Sequence, residues 1–335
     1  MSEIKTRFLV LSDTHGKNPQ LPDLPVDVAI HCGDLTDGSK IAEFRTTLAL
    51  LRFINAPLKL VIAGNHDFTL DTPMFQRKVA EANRLFSIAP GEMEREYGDF
   101  GDARRLLDSA QQEGIIFLDE GVHRFDLNNG ARLTVYASPF TPSIEADWGF
   151  QYRRGEHHDY AVDGVEIGVM ITHGPPKGVL DMTTSKKRGG CEQLFEAVAR
   201  TRPRLHCFGH IHEGWGAKAV TWRGSRPSES PSHFTDINNG ASAVIESLAS
   251  LRPGKYDTAD LVEEKEARLR AIREVGYRHT SHCAGDEHGV NLGQTTVFVN
   301  AAMQPANEVE AGQLPWIVDI ELPPAAAFLN GVSRT

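Results

Sequence analysis

Five apolar runs in this chain each end in a glycine-containing turn that carries Asp, Asn or His, and that pattern limits the folds open to it. Phe8-Leu9-Val10-Leu11 leads into Ser12-Asp13-Thr14-His15-Gly16, and Val26 to Ile30 leads into Gly33-Asp34-Leu35. Leu58 to Ile62 precedes Gly64-Asn65-His66-Asp67, Val165 to Ile171 precedes Thr172-His173-Gly174, and Leu205 to Phe208 precedes Gly209-His210-Ile211-His212. Short apolar runs bounded by turn residues read as buried strands. Ile41, Phe44, Leu48 and Leu51 recur at helical spacing, so a helix is expected over about 39–54, between the second and third strands. Strands alternating with helices, with polar chemistry at the strand ends, is the α/β pattern.

Further strands are expected over Arg132 to Ala137, Val297 to Asn300 and Trp316 to Leu322, and a helix over Gly189 to Arg200 with Leu194, Phe195 and Val198 inward. Residues of roughly 73–113 read as polar helix with loops at Pro90-Gly91 and Gly98. The expected fold class is an α/β (α+β) sandwich: two face-to-face mixed β-sheets flanked by helices. The texture changes over 222–294, with a Ser/Pro/Arg-rich loop at Ser225 to Ser232, a charged helix over Ala259 to Glu274 and a polar stretch from His279 to His288. The expectation is one domain over 1–335 with 222–294 inserted in its C-terminal half.

The chain has 335 residues, 40% of them hydrophobic, enough for one large core. Its formal net charge of −10 argues against extended nucleic acid as a partner, because that interaction needs a cationic face. Cys32, Cys191, Cys207 and Cys283 form no CxxC pair and read as reduced thiols, so a cytoplasmic location is expected. No apolar stretch approaches membrane-spanning length, and no membrane partner is expected. A cleaved leader is not expected, since the first apolar run goes straight into a motif.

The motif residues have metal-site chemistry. Asp13 and His15 lie two apart, as do His210 and His212, so each pair can face one ion from a strand end. Asp34 offers two oxygens and can bridge two ions. Asn65 gives a neutral oxygen, and His173 an imidazole. Carboxylate, amide and imidazole together suit two transition-metal ions such as Mn, Fe or Zn, with Mn expected to support activity in vitro. Asp and Asn are common in turns after strands and a lone His is usually structural. Five such turns in order, each after an apolar run, are not explained that way.

The order Asp-x-His, Gly-Asp, Gly-Asn-His-Asp, Thr-His-Gly, Gly-His-x-His over residues 13–212 resembles the calcineurin-like metallophosphoesterase superfamily. Tyr136 to Pro142, Trp148-Gly149-Phe150, Ile171 to Pro176, Phe208 to Gly214 and Val299-Asn300-Ala301 are similar to runs in its metallophosphoesterase-domain-containing group. The resemblance implies a metallo-dependent phosphatase-like fold. It implies a first metal on Asp13, His15, Asp34 and His212, and a second on Asp34, Asn65, His173 and His210. It further implies a bridging hydroxide as nucleophile, His66 as general acid, and Asp67 orienting His66. The implied enzyme is a metallophosphoesterase acting on a small phosphoester, a nucleotide among the candidates, with phosphodiesters, phosphomonoesters or both as substrates.

Trp148, Phe150 and Arg153 read as a candidate substrate wall, with arginine able to pair a phosphate. His279, His282, Cys283, Asp286 and His288 match no zinc spacing and read as a polar loop, near the pocket or solvated. His157-His158 reads as surface. Two other functions compete: a bimetal hydrolase or Lewis-acid enzyme on a non-phosphorus substrate in specialised metabolism, and a non-catalytic binding protein. The complete ligand set and His66 count against the latter. Substrate identity, metal identity and oligomeric state are not legible in the sequence.

Overall fold

Side chains alternate across a strand, so Phe8 and Val10 share one face of the first run while Leu9 and Leu11 share the other. All four are fully buried, which requires apolar layers on both sides of the strand. The computed structural model, which describes residues 2–86, 91–305 and 313–325, supplies them. Pro90, expected in a loop, lies outside the described residues.

In chain order the elements begin with β1 (Ile4–Leu11), β2 (Val28–His31), α1 (Ile41–Phe53), β3 (Leu58–Val61), α2 (Thr72–Leu85), α3 (Glu92–Tyr97) and α4 (Asp102–Asp108). There follow β4 (Ile115–Phe117), β5 (Gly121–Asp126), β6 (Arg132–Ser138), β7 (Thr141–Ser143), β8 (Gln151–Arg153), β9 (Val169–Thr172), α5 (Glu192–Thr201) and β10 (Leu205–Phe208). The chain continues through β11 (Gly216–Thr221), β12 (Ala243–Ser247), α6 (Leu248–Leu251), α7 (Ala259–Val275), β13 (Arg278–Ser281), β14 (Thr295–Asn300) and β15 (Trp316–Leu322).

Among the described residues these strands form a six-stranded sheet, β13-β15-β1-β2-β3-β4, a seven-stranded sheet, β12-β11-β14-β10-β9-β6-β5, and a small β7-β8 pair. The two large sheets lie face to face, as expected. Phe8, Val10, Val28 and Ile30 of the first meet Val135, Ala137, Val169, Ile171, Val297 and Val299 of the second in the central core. Leu9, Leu11 and Ala29 point outward and pack under Leu48 and Leu51 of α1 and Leu107 of α4. Met170, Phe208 and Phe298 do the same under Leu194, Phe195 and Val198 of α5. Strands β1 to β4 run parallel, as do β6, β9, β10 and β14, so their C-terminal ends gather at one end of each sheet. A bridge between Ser12 and Ala302 joins those two ends.

The 222–294 segment supplies an edge strand to each sheet. β12 pairs antiparallel with β11, and β13 pairs parallel with β15. The fully buried Glu246 of β12 accepts from Arg268 of α7 and Arg278 of β13, each 3.0 Å away, so one carboxylate ties both edges to the helix. The direction of β13 decides where its loop lies. Ser281 is level with Asp319, and Asp319 with Arg7, near the start of β1. Residues after Ser281 therefore leave the sheet at the end opposite Asp13, which overturns a position for His279 to His288 beside the pocket. His282 is buried there, its ring bonded to the His288 carbonyl at 2.7 Å and Thr280 Oγ1 at 2.8 Å.

Asp319 is buried between β13 and β1. Arg7 donates two bonds to it, at 2.8 and 2.9 Å, and Lys5 and His279 lie 2.9 and 3.2 Å away. Burial opposes its ionisation, but Arg7, Lys5 and His279 outweigh that and hold the carboxyl well below the usual range. A lowered folded-state pKa gives stability that is present above the unfolded value, about 3.9, and is lost as pH falls toward the folded one. Asp319→Ala is expected to cost about 3 kcal/mol in urea unfolding near neutral pH. The gap from wild type should narrow below about pH 4.

Candidate metal centre

The turns after the parallel strands are laced to one another before any side chain is considered. Asp13 N–H donates to the Gly33 carbonyl at 3.0 Å, His15 N–H to Asp34 at 3.1 Å and Gly16 N–H to Leu35 at 2.8 Å. On the second sheet His173 N–H donates to Ser138 at 3.1 Å, and Gly209 N–H to His173 at 2.9 Å. The His173 ring then crosses between sheets, its Nδ1 bonding the Cys32 carbonyl at 2.9 Å. Asp13, His15, Asp34 and His210 all have left-handed backbone, at φ +54°, +47°, +51° and +66°. Such conformations cost energy and persist where the surrounding bonds enforce them. Gly33 is required for a different reason: a Cβ there would sit 2.6 Å from the Ala63 carbonyl oxygen and 2.7 Å from His173 Nδ1.

The side chains collect in two overlapping groups. Asp13, His15 and His212 place one ligand atom each within 4.8 Å of one another, and so do Asp34, His173 and His210. Asp34 faces both groups: Oδ2 lies 3.8 Å from His15 Nε2, and Oδ1 3.3 Å from His173 Nε2. Asn65 Oδ1 is 3.0 Å from the same His173 Nε2. Asp13 lies 3.2 Å from His212 Nε2 and accepts the His210 N–H at 3.1 Å. The structure thus brings together all seven side chains expected to bind metal.

Their electrostatics suit cations. Asp13 and Asp34 are buried, and among the described residues their side-chain ion-pair partners are histidines. Burial opposes their ionisation, but for Asp13 His212, and for Asp34 His173, outweigh it and hold both carboxyls below the usual range. Burial likewise disfavours charge on His173, yet Asp34 pushes it up to about 9, so a proton there offsets charge as a cation would. Burial drives His210 down to about 3, leaving a neutral imidazole. Both ring nitrogens of His15 are buried without a hydrogen-bond partner. Its nearest acceptors, Asp37 Oδ1 at 3.5 Å and Asp34 Oδ2 at 3.8 Å, make no hydrogen bond with it, and among the described residues no lysine or arginine pairs with Asp13 or Asp34, so metal ions fit as the missing partners.

His66 and Asp67 part company in the structure. The His66 ring, expected to be oriented by Asp67, is held elsewhere: its Nδ1 bonds the Asp37 carbonyl at 2.6 Å. Asp67 is fully buried and accepts from Leu35 N–H at 3.0 Å, Thr36 N–H at 3.0 Å, Thr36 Oγ1 at 2.7 Å and Gly64 N–H at 2.8 Å. It locks the Asp34 and Asn65 turns together and orients His66 only through them. The His66 N–H donates to Asp34 Oδ1 at 2.8 Å, and its ring joins His15 and Asp34 in a third close group.

Trp148 stacks beside His66, ring centres 4.4 Å apart. The Trp148 loop is docked on the same turn, with Gly149 N–H donating to the Asn65 carbonyl at 3.0 Å and Phe150 N–H to Asp71 at 2.8 Å. The Phe150 ring turns to Phe140, 5.8 Å away. Arg153 is exposed on β8, and among the described residues no hydrogen bond, ion pair or ring contact joins its side chain to this group. His158, expected at the surface, is half-buried, stacked on Tyr152 and 2.7 Å from Glu120. Two supporting residues escaped the sequence reading. Asp37 supplies the carbonyl for His66. Asn300 at the end of β14 donates to the Ile211 carbonyl at 2.9 Å, fixing the His210 to His212 turn. Its signal was there, since Val297-Phe298-Val299 is another apolar run ending in a polar residue.

The calcineurin-like phosphoesterase profile matches residues 6–214, which contain all five turns. The chain belongs to the calcineurin-like phosphoesterase family. Metallophosphoesterase domain-containing protein 1 of Homo sapiens and of Mus musculus is 34% identical to it over 223 residues, 64% of this chain and 63% of theirs. A protein of Emericella nidulans named probable rhamnogalacturonate lyase C is 33% identical over 219 residues, 64% of this chain and 18% of its own length. The chain therefore spans less than two thirds of these curated relatives. The whole 222–294 segment, including β12, α7 and β13, lies outside the span of the family match.

Two substitutions separate binding from scaffolding. Asp34→Asn is expected to lower bound metal, measured by plasma mass spectrometry after manganese loading, from about two ions per chain to one or none. Asp67→Ala removes the acceptor for four buried donors and should cost about 3 kcal/mol in urea unfolding.

Proposed function

We propose that this protein is a metal-dependent phosphoesterase. The observation that carries the reading is Asp34, one buried carboxylate shared by two ligand groups with His66 beside it. Asp13, His15, Asp34 and His212 would hold one ion, and Asp34, Asn65, His173 and His210 the other. Such a pair supplies Lewis acidity toward a phosphoryl oxygen and toward water. The ions would be Mn, Fe or Zn, since the donor set is borderline in softness.

The chain's own residues do the rest. The left-handed turns hold the donors in place before substrate arrives, which limits reorganisation during reaction. Burial of Asp13, Asp34 and His173 excludes water from all but the open side. The Asp37 carbonyl accepts from Nδ1–H, so the transferable proton is on Nε2 of the imidazolium form of His66; it passes to the leaving oxygen and leaves a neutral ring still bonded through Nδ1–H. Trp148 covers one side of that ring and fixes its orientation. The substrate is a small phosphoester, a nucleotide among the candidates, with phosphodiesters put first and phosphomonoesters second. No cationic surface for extended nucleic acid is needed for such a substrate, and the net charge of −10 accords with that. Among the described residues no helix is long and apolar enough to cross a membrane. The four cysteines are unpaired, which supports a reducing, cytoplasm-like compartment.

Manganese-loaded protein is expected to hydrolyse bis-(p-nitrophenyl) phosphate, and p-nitrophenyl phosphate more slowly. His66→Ala should retain metal and lose about 10²- to 10⁴-fold in kcat, whereas Asp34→Asn should lose both. Metal-loaded protein that turns over neither ester would overturn the reading.

A further inference from the structure

Trp148 has a second role in the geometry. Besides stacking on His66, it lines a groove of about 930 Å³ formed with Phe68, α2 and α3. A p-nitrophenyl group would fill a small part of that volume, which lies in the range of sites for drug-sized ligands. The groove has an aromatic wall: Phe68 lies 6.2 Å from Trp148 and 5.9 Å from Tyr97, centre to centre. Leu85 and Phe86, 58% and 67% exposed, add apolar surface to it. Exposed large apolar side chains gathered around one concave surface mark a binding site more often than scattered ones do.

The charges lining it are mixed. Lys40 is neutralised by Glu96 at 2.8 Å. Lys78 makes no ion pair among the described residues; its ammonium lies 4.7 Å over Trp148 and 4.9 Å over Phe68. Burial lowers its pKa, in keeping with an ammonium packed on rings rather than solvated. Against these two lysines the groove carries Glu81, Glu92 and Glu96. Lys40 and Glu96 offset each other, and Lys78 stands as an ammonium packed on the ring faces, so the lining does not select a ligand by the sign of its charge.

We propose that this groove is the leaving-group subsite of the His66 centre, and that it takes the bulky aromatic alcohol of a phosphoester. The proposal rests on the phosphoesterase reading. The leaving oxygen is set beside His66, the aromatic body continues past Trp148, and its rings extend the Trp148-Phe68-Tyr97 array in tilted or edge contacts.

Two readouts test it. The first is equilibrium dialysis of 1-naphthol against metal-free protein, which needs no turnover. Wild type should bind it, and Ala82→Trp, which fills the groove from α2, should weaken binding about tenfold or more. Leu85→Arg obstructs the same groove from an exposed position and keeps the test decisive if Ala82→Trp fails to fold. The second is the ratio of kcat/KM for 1-naphthyl phosphate over phenyl phosphate, expected to be about tenfold in manganese-loaded wild type and to collapse in both variants. No binding of 1-naphthol to wild type, or equal binding to wild type and the folded variants, overturns the proposal. Naphthol binding that the variants abolish, in a protein that hydrolyses no phosphoester, supports the groove as an aromatic-ligand site and refutes the phosphoesterase reading instead.

Discussion

The placement of two carboxylates, Asp13 and Asp34, in a buried site where no lysine or arginine among the described residues pairs with them is the constraint on which the rest depends. Charge in such a place is costly unless other charges and donors surround it. Histidines from the opposite sheet meet that need in part, and the two sheets must therefore hold a fixed separation and offset. The His173–Cys32 bond and the Ser12–Ala302 bridge set that geometry at the site itself. The central core of Val, Ile and Phe side chains sets it everywhere else. Stability and site geometry are thus not separate matters here: a shift of one sheet against the other would move His173, His210 and His212 away from Asp13 and Asp34.

The far edges of the sandwich are closed by another pair of buried carboxylates. Glu246 gathers arginines from α7 and β13, and Asp319 gathers Arg7, Lys5 and His279. Both lie among partners that satisfy them, unlike Asp13 and Asp34. The contrast separates structural from chemical use of a buried acid in one chain. It also gives the 222–294 segment a physical task, since its two strands cover an open edge of each large sheet, and open edges are sites for unwanted pairing. We read it as an insertion that completes both sheets away from the ligand turns.

The strongly apolar central strands were legible from the sequence, as were α1 and α5, because their burial on one or both faces writes the pattern directly. Strands β5 and β13 were not. β5 is half-exposed, and β13 is Arg-His-Thr-Ser, held by backbone pairing with β15 and by carboxylates distant in sequence. The donor set was legible because each member follows an apolar run. The roles of His66 and Asp67 were legible only as neighbours in the chain. Adjacent residues in a tight turn point in different directions, so Asp67 turned inward to four donors while His66 found the Asp37 carbonyl. Arg153 shows the converse: proximity in sequence to Trp148 did not bring its side chain to the same group.

By itself the sequence determined the order of the apolar strands and their ligand turns, the chemical identity of the donors and the family to which the chain belongs, because these depend on local pattern and residue type. Only the tertiary structure decided which donors share Asp34, which end of the sheets the His279 to His288 loop occupies, and that Trp148 joins His66 to a groove made by α2 and α3. Those facts depend on strand direction, register and the packing of elements remote in sequence. No local preference encodes them, because each is fixed by burying the two sheets against each other.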